Sequence, residues 1–328
     1  LRPGEPWAGY RQFCMTMLFP LMLTAYKGIP HQPWLRGRLD GITPQECRAL
    51  MSFRDRFRRG TTGHVFLHAR LDRRQSEAEE GRDVKAEIRR AGFKTELIKA
   101  NVKRLDKLVR ALEWRVRGST WADYGATTSY TDEGANAKAR FVEEVVGARP
   151  WRTVWDLGCN DGRFSRIAAT AAEHVVAVDF DAVVIEGLYR ALRHEGSRSI
   201  LPLTMSLSDP SPALGWRGEE RPRFDQRGRP DLVLCLALIH HVTITDNIPV
   251  RSFVHWLADL GGALVIEWVE REDRQAESLL ARKAPGSNPD YHREHFERCL
   301  AERFEIERRT GIPPGTRTLY YARPRTAA

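Results

Sequence analysis

The sequence predicts an α/β protein in which a helical region precedes a doubly wound, mostly parallel sheet. Three observations lead there. From about residue 150 onward, short apolar runs alternate with helical stretches, as expected when helices cover both faces of a parallel sheet. Before residue 120 the periodicity is helical on either side of a loop at 28–41. The length, 328 residues, exceeds the roughly 250–300 residues at which one core stops growing, so a domain with a sizeable neighbour is expected.

The elements follow in order. Residues 7–28 read as a helix with apolar or aromatic groups on most sides (Trp7, Tyr10, Phe13, Met17, Leu18, Leu21, Leu23), broken near Pro20, and such a segment wants burial on more than one face. Residues 28–41, rich in Gly and Pro, form a loop. Thr43-Pro44-Gln45-Glu46 has capping-box spacing with Pro at the first helical position, so a helix is expected over 44–58, ending among arginines at Gly60. Residues 75–116 are helical again, with a break at Gly92 and apolar positions three and four apart. A short amphipathic helix over 133–147 closes at Arg149-Pro150. Strands are then expected at 153–156, 175–179, 200–205, 232–238, 263–269, 304–309 and 316–322, with helices over 162–172, 181–194, 250–259 and 291–301. The expected division is a basic helical region, 1–120, and an α/β domain, 121–328.

Composition bounds the function. An ordinary apolar content of 42% with 29% charged residues excludes a disordered chain. The longest apolar stretch, 15–26, is too short to span a bilayer and lacks a cleavage site after it, so neither membrane nor secretion is expected. Five cysteines without paired short spacing suggest reduced thiols and a cytoplasmic address. No His, Cys and carboxylate group has metal-ligand spacing, so no metal is expected. The net charge of +9 divides as +2 over residues 1–35, +10 over 36–120 and −3 over 121–328. The excess belongs to the front of the chain. Arginine supplies 44 of the 52 basic residues, which a coding bias toward arginine would also produce, so residues 36–120 present either a solvated helix face or a surface for an anionic partner.

The chemistry concentrates at 154–162, Val-Trp-Asp-Leu-Gly-Cys-Asn-Asp-Gly, a strand running into a glycine turn and then a helix. Gly158 and Gly162 let the backbone turn tightly and approach a ligand. Asp179, at the end of the next strand, is placed to accept from ribose hydroxyls. A dinucleotide fingerprint would need glycine at 158, 160 and 163, where the chain has Gly, Asn and Arg, and no Walker loop follows. Turn formation and helix capping are the alternative roles for Asp156 and Asp179.

These residues resemble the first motif of the class I S-adenosylmethionine-dependent methyltransferases, with Asp156 at the acidic position, Gly158 and Gly162 at the outer glycines and Asn160 in place of the middle one. The resemblance covers roughly 120–325. It implies a Rossmann-like doubly wound sheet of methyltransferase type and S-adenosyl-L-methionine as cofactor, with the backbone of 158–162 against its methionine part, Asp156 organising the turn, Asp179 on the ribose and Phe180 against the adenine. Strand 232–238 runs into His240-His241, where in this superfamily methyl group and acceptor meet. One histidine is expected to take the acceptor's proton and the other to be structural, with His241 favoured as the base. Glu267, ending the next strand, is a second candidate base or substrate contact. Tyr124 and Tyr130 stand where an aromatic segment could drape over the cofactor. Cys159 and Cys235 lack the Pro-Cys context of cytosine-C5 enzymes, and the Asn/Asp-Pro-Pro-aromatic signature of amino-group enzymes is absent, which points to an oxygen acceptor.

More narrowly, residues 210–217, the 238–241 strand end and residues 7–41 resemble a group of long bacterial methyltransferases and nodulation-associated proteins. There a kinase-like section precedes the segment corresponding to Leu1, so this chain, starting without Met, is expected to be part of something longer, its helical region docking to an upstream domain or partner. Expected function is O-methylation of a small-molecule or glycan-type acceptor. The alternatives are a tRNA or rRNA methyltransferase gripping through 36–120, and a non-catalytic module that binds the cofactor.

Overall fold

The computed structural model describes residues 7, 9–78, 95–115 and 131–325, so Tyr124, Tyr130 and the break at Gly92 lie outside the described residues. The chain forms two compact units. One comprises Leu1–Arg117 with Pro212–Pro222, the other Gly118–Ser211 with Arg223–Ala328. Among the described residues no helix is long and apolar enough to cross a membrane.

In the helical unit the expected 7–28 helix runs as Tyr10–Phe13, Cys14–Leu18 and Phe19–Lys27, the middle piece wound as a π-helix. Pro20 explains that widened turn, because its ring cannot donate and would crowd the carbonyl four residues back. The capping box at Thr43 forms as expected: its hydroxyl accepts from Glu46 N–H, and Glu46 accepts from Thr43 N–H at 2.9 Å. The helix it starts, however, is only Pro44–Leu50, with a separate 3₁₀ turn at Arg54–Phe57. Asp55 causes the break. Its buried carboxylate accepts the Ser52 N–H at 2.8 Å and the Ser52 hydroxyl at 2.7 Å and pairs with Lys27 at 2.9 Å, which starts a new turn at Ser52. Helices Thr62–Leu67, His68–Ala78 and Thr95–Arg110 follow. Leu18, Phe19, Met22, Ile42, Val65, Leu105 and Leu108 form the core of this unit. In the 212–222 excursion Leu214 bridges to Arg221, whose guanidinium donates to the Leu35 carbonyl.

The second unit carries a seven-stranded sheet: β1 (Trp151–Leu157), β2 (Ala172–Asp179), β3 (Ile200–Thr204), β4 (Leu232–Cys235), β5 (Ala263–Val269), β6 (Phe304–Ile312) and β7 (Arg317–Pro324). Their order is β3-β2-β1-β4-β5-β7-β6. β1 to β5 are parallel, and β7 pairs antiparallel with β5 and with β6. Alternation along each strand sorts side chains to two covered faces. Trp155, Leu157, Val233, Cys235, Leu264, Ile266 and Trp268 pack with helices Val250–Asp259 and Arg293–Arg303. Val154, Leu232, Leu234 and Val265 pack on the other side with helices Asp132–Gly147 and Ala182–Glu195. The strand order reverses between β1 and β4, so the open crevice lies beyond the carboxyl ends of β1, β2 and β4, where such sheets bind ligands.

Candidate functional site

A cavity of about 580 Å³ occupies that crevice and is built entirely from the second unit. Its floor is the turn after β1. Gly158 and Gly162 have φ of 77° and 79°, and Asn160 sits between them at 47°. Side chains would also be crowded here. A Cβ on Gly158 would stand 3.1 Å from a Leu238 methyl and one on Gly162 2.5 Å from a Leu188 methyl. Asn is among the few residues that adopt the left-handed conformation readily, so it can stand where the superfamily pattern has a third glycine.

Asp179 holds this floor in place from the end of β2. Its two oxygens accept the N–H groups of Asn160 and Asp181, each at 3.0 Å. Burial raises its pKa, opposed by those N–H donors. Helix capping falls to Asp181, whose carboxylate accepts from Val183 and Val184 N–H. Asp179 is therefore free of the capping role and lines the cavity, with Phe180 beside it 57% exposed. Asp156 lies underneath. It accepts the Ser165 hydroxyl at 2.6 Å, and burial pushes its pKa up to about 6 against the pull of Ser165 and Lys138. Asp156, Gly158, Asn160, Asp179 and Phe180 all line the cavity. Gly162 starts the helix Arg163–Ala168 from just behind them.

The wall beyond β4 separates the two histidines. β4 ends at Cys235, earlier than the expected 238, because Ala237 turns the chain at φ 50°. The π-helical turn His241–Thr245 follows. His241 lines the cavity, while His240 is fully buried behind it, the ring centres 4.2 Å apart. Burial holds His241 at a pKa of about 4 against the attraction of Asp246, so its imidazole is neutral near pH 7. Burial also drives His240 well below its ordinary value, with His241 adding to the effect.

Glu267 does not line the cavity. As an odd-numbered residue of β5 it faces the helix Asp132–Gly147, fully buried, with one oxygen 2.6 Å from Lys138 Nζ and the other 3.3 Å from the Arg317 guanidinium. Arg317 grips Asp273 with two nitrogens, at 2.8 and 3.0 Å. Burial lowers the Lys138 pKa and Glu267 opposes it. Lys138 reaches the cavity itself, 4.9 Å from the centre of the Phe164 ring. Sequence reasoning missed Lys138, although a lysine between Gly134 and Val142 on an otherwise apolar helix face was a readable anomaly. It also missed Ser206, Ser208, Asp246 and Arg282 at the rim, which three separate loops contribute. Among the described residues no group of His, Cys, Asp and Glu is arranged to hold a metal.

The residues present fit a nucleoside bearing an amino-acid tail: a carboxylate at the end of β2 with an aromatic ring beside it, and a floor whose strained backbone leaves room where side chains would project.

No family model matches the chain. Nodulation protein NoeA of Rhizobium meliloti (strain 1021) is 32% identical over 322 residues, 97% of this chain and 67% of NoeA. The O-antigen chain terminator bifunctional methyltransferase/kinase WbdD of Escherichia coli is 28% identical over 168 residues, 51% of this chain and 21% of WbdD. Among solved structures, N-methyltransferase NodS from Bradyrhizobium japonicum WM9 with S-adenosyl-L-homocysteine is 11% identical, covers 63% of this chain and 100% of its own, and gives a TM-score of 0.42. The chain thus spans about two thirds of NoeA and about a fifth of WbdD. It belongs to the family of nodulation protein NoeA, and its sheet order and glycine turn give it the class I S-adenosylmethionine-dependent methyltransferase fold.

Proposed function

We infer that this chain transfers a methyl group to an oxygen of a small-molecule or glycan-type acceptor. The observation that carries the reading is the shared cavity. His241, a neutral imidazole near pH 7, lines the same 580 Å³ space as Asp179 and the glycine turn. Similarity to an O-antigen chain terminator supports the glycan-type acceptor, and the lack of an amino-group signature beside β4 supports oxygen.

S-adenosylmethionine supplies a methyl group activated on a sulfonium. Asp179 would hold the ribose, Phe180 the adenine and the backbone of 158–162 the methionine part, with Asp156 and Ser165 keeping that backbone in shape. The protein's principal contribution is alignment of two bound reactants, which is worth up to roughly 7–11 kcal/mol when reacting atoms are held in line. His241 accepts the acceptor's hydroxyl proton as the new bond forms. A base of such low pKa is weak, so its share lies at the lower end of the roughly 10²–10⁴-fold range for general bases.

The test is transfer of radiolabelled methyl from S-adenosylmethionine into host extract fractionated into small molecules, glycans, protein and RNA, with calorimetric titration of S-adenosylhomocysteine alongside. Label in the glycan or small-molecule fraction is the expected result. Label confined to RNA would overturn the acceptor class. Cofactor binding with no transfer into any fraction would make the chain a non-catalytic module.

A further inference from the structure

The turn between helices Pro44–Leu50 and Thr62–Leu67 carries two aromatic side chains with no place in the core. Phe53 is 72% and Phe57 79% exposed, and their rings meet edge to face with centres 5.8 Å apart. Around them Arg54, Arg56, Arg58 and Arg59 are all exposed, and the one acid of the turn, Asp55, is buried. Among the described residues only Arg58 of these four forms an ion pair, with Asp55 at 3.1 Å.

The turn is held firmly. Asp55 takes Ser52, Lys27 and Arg58 from below. The Thr61 hydroxyl lies 2.6 Å from both the Asp55 and the Arg58 carbonyl oxygens and donates its one proton between them, and the Tyr26 hydroxyl donates to the Arg59 carbonyl at 2.9 Å. Its aromatic pair is therefore exposed by the backbone geometry and not by fraying. Seven of the eight residues 52–59 are exposed, which makes the surface a convex knob suited to a flat or soft partner and unsuited to gripping a helix or strand.

We propose that this knob docks the chain on the surface of an anionic phospholipid bilayer, with Phe53 and Phe57 entering the interface and the arginines lying among the headgroups. Charge complementarity selects the partner. Basic residues beside an anionic leaflet and apolar side chains sunk to the acyl boundary act together in peripheral binding. The edge-to-face pair forms one apolar wedge and does not offer two parallel open faces, so it suits a lipid interface better than stacked bases. Docking there is peripheral and needs no spanning segment.

The experiment is sedimentation of the chain with vesicles of phosphatidylcholine alone and of phosphatidylcholine with about one third phosphatidylglycerol. Binding to the anionic vesicles only is expected. The triple variant R54Q/R56Q/R59Q should weaken it roughly 100-fold, and F53S/F57S at least tenfold at unchanged charge. K99Q/K103Q/K107Q removes the same charge from exposed positions on another helix of this unit and should change it less than threefold. Unchanged thermal melting of each variant shows that the fold is kept. Wild-type chain that ignores anionic vesicles overturns the proposal. So does F53S/F57S binding as well as wild type, which would mean that net charge alone adsorbs the protein. Loss of RNA binding in F53S/F57S without vesicle binding by wild type would reassign the knob to nucleic acid.

Discussion

Asn160 and His241 show how single side chains fix the properties of the cavity. At φ 47° Asn160 occupies a conformation that costs a β-branched residue roughly 1–2 kcal/mol or more. Asn160→Gly should leave S-adenosylhomocysteine affinity within about threefold. Asn160→Val should lower it tenfold or more, because the N–H that meets Asp179 moves with the strained backbone; calorimetry separates the two outcomes. For His241 the pH profile is the sharper measurement. With its pKa held at about 4, the neutral form predominates down to pH 5, so any acid limb of kcat/KM above pH 5 should belong to Asp156, whose pKa is about 6, and should persist in His241→Ala. A limb near the ordinary histidine value of about 6.5 that disappears in His241→Ala would contradict the assignment. Removing the base in His241→Ala should lower kcat about 100-fold while cofactor affinity holds.

The network under the helix Asp132–Gly147 belongs to the scale of packed elements. Lys138 comes from the helix, Glu267 from β5, Arg317 from β7 and Asp273 from the cap of helix Arg274–Leu280, and all four are nearly or wholly buried. Breaking one member strands the others: Lys138→Met should cost about 3–5 kcal/mol, whereas replacing both partners in K138M/E267L should recover most of it, since Arg317 keeps Asp273. Urea denaturation of the single and double variants measures this. The same network marks the limit of what the sequence could tell. That Asp156, Gly158, Asn160, Asp179 and Phe180 gather at one cavity was legible because one strand-turn-helix unit and the next strand end carry them all. The doubly wound, mostly parallel sheet was legible because apolar runs and helices alternate. Glu267 was misjudged because its role depends on which face of β5 packs against a helix more than a hundred residues earlier. The sequence favoured His241 over His240 only slightly, because the turn at Ala237 and the π-helical winding after it, not their spacing, send one ring inward and the other to the cavity. The shortened 44–50 helix has a similar origin, since Asp55 looked like one more helix residue until Ser52 and Lys27 were seen to converge on it.

Across the whole molecule, the basic excess noted at the start sits in a unit whose buried titratable groups make it sensitive to acid. His31, His64 and His68 have pKa values lowered by burial, with His64 and His68 also affecting each other. The Tyr10 hydroxyl and His64 Nδ1 lie 2.6 Å apart, and Asp72 and Arg11 pull His68 in opposite directions. A histidine whose folded pKa lies below its unfolded value binds its proton first in the unfolded chain, so stability falls as pH drops below about 6.5. Asp55, Asp72 and Glu46 are held below their ordinary values by Ser52 and Lys27, by Arg11 and Gln45, and by Arg38 and Thr43 respectively, against the opposing effect of burial. Their contribution is present above the unfolded carboxylate pKa and is lost as pH falls through the folded values, so it adds with the same sign at lower pH. The unit should therefore loosen in two steps, first as the histidines charge below about pH 6.5, then as the carboxylates protonate below about 4. Hydrogen exchange resolved by peptide checks this: after correction for intrinsic rates, peptides from Tyr10–Phe13 through Phe19–Lys27 and from Thr62–Leu67 through His68–Ala78 should lose protection between pH 7 and 5. Substituting His64 and His68 with glutamine should shrink that first loss to the share of His31 and leave the second in place. Protection that stays constant to pH 5 in the wild-type chain would show that the two rings are not what couples these helices to pH.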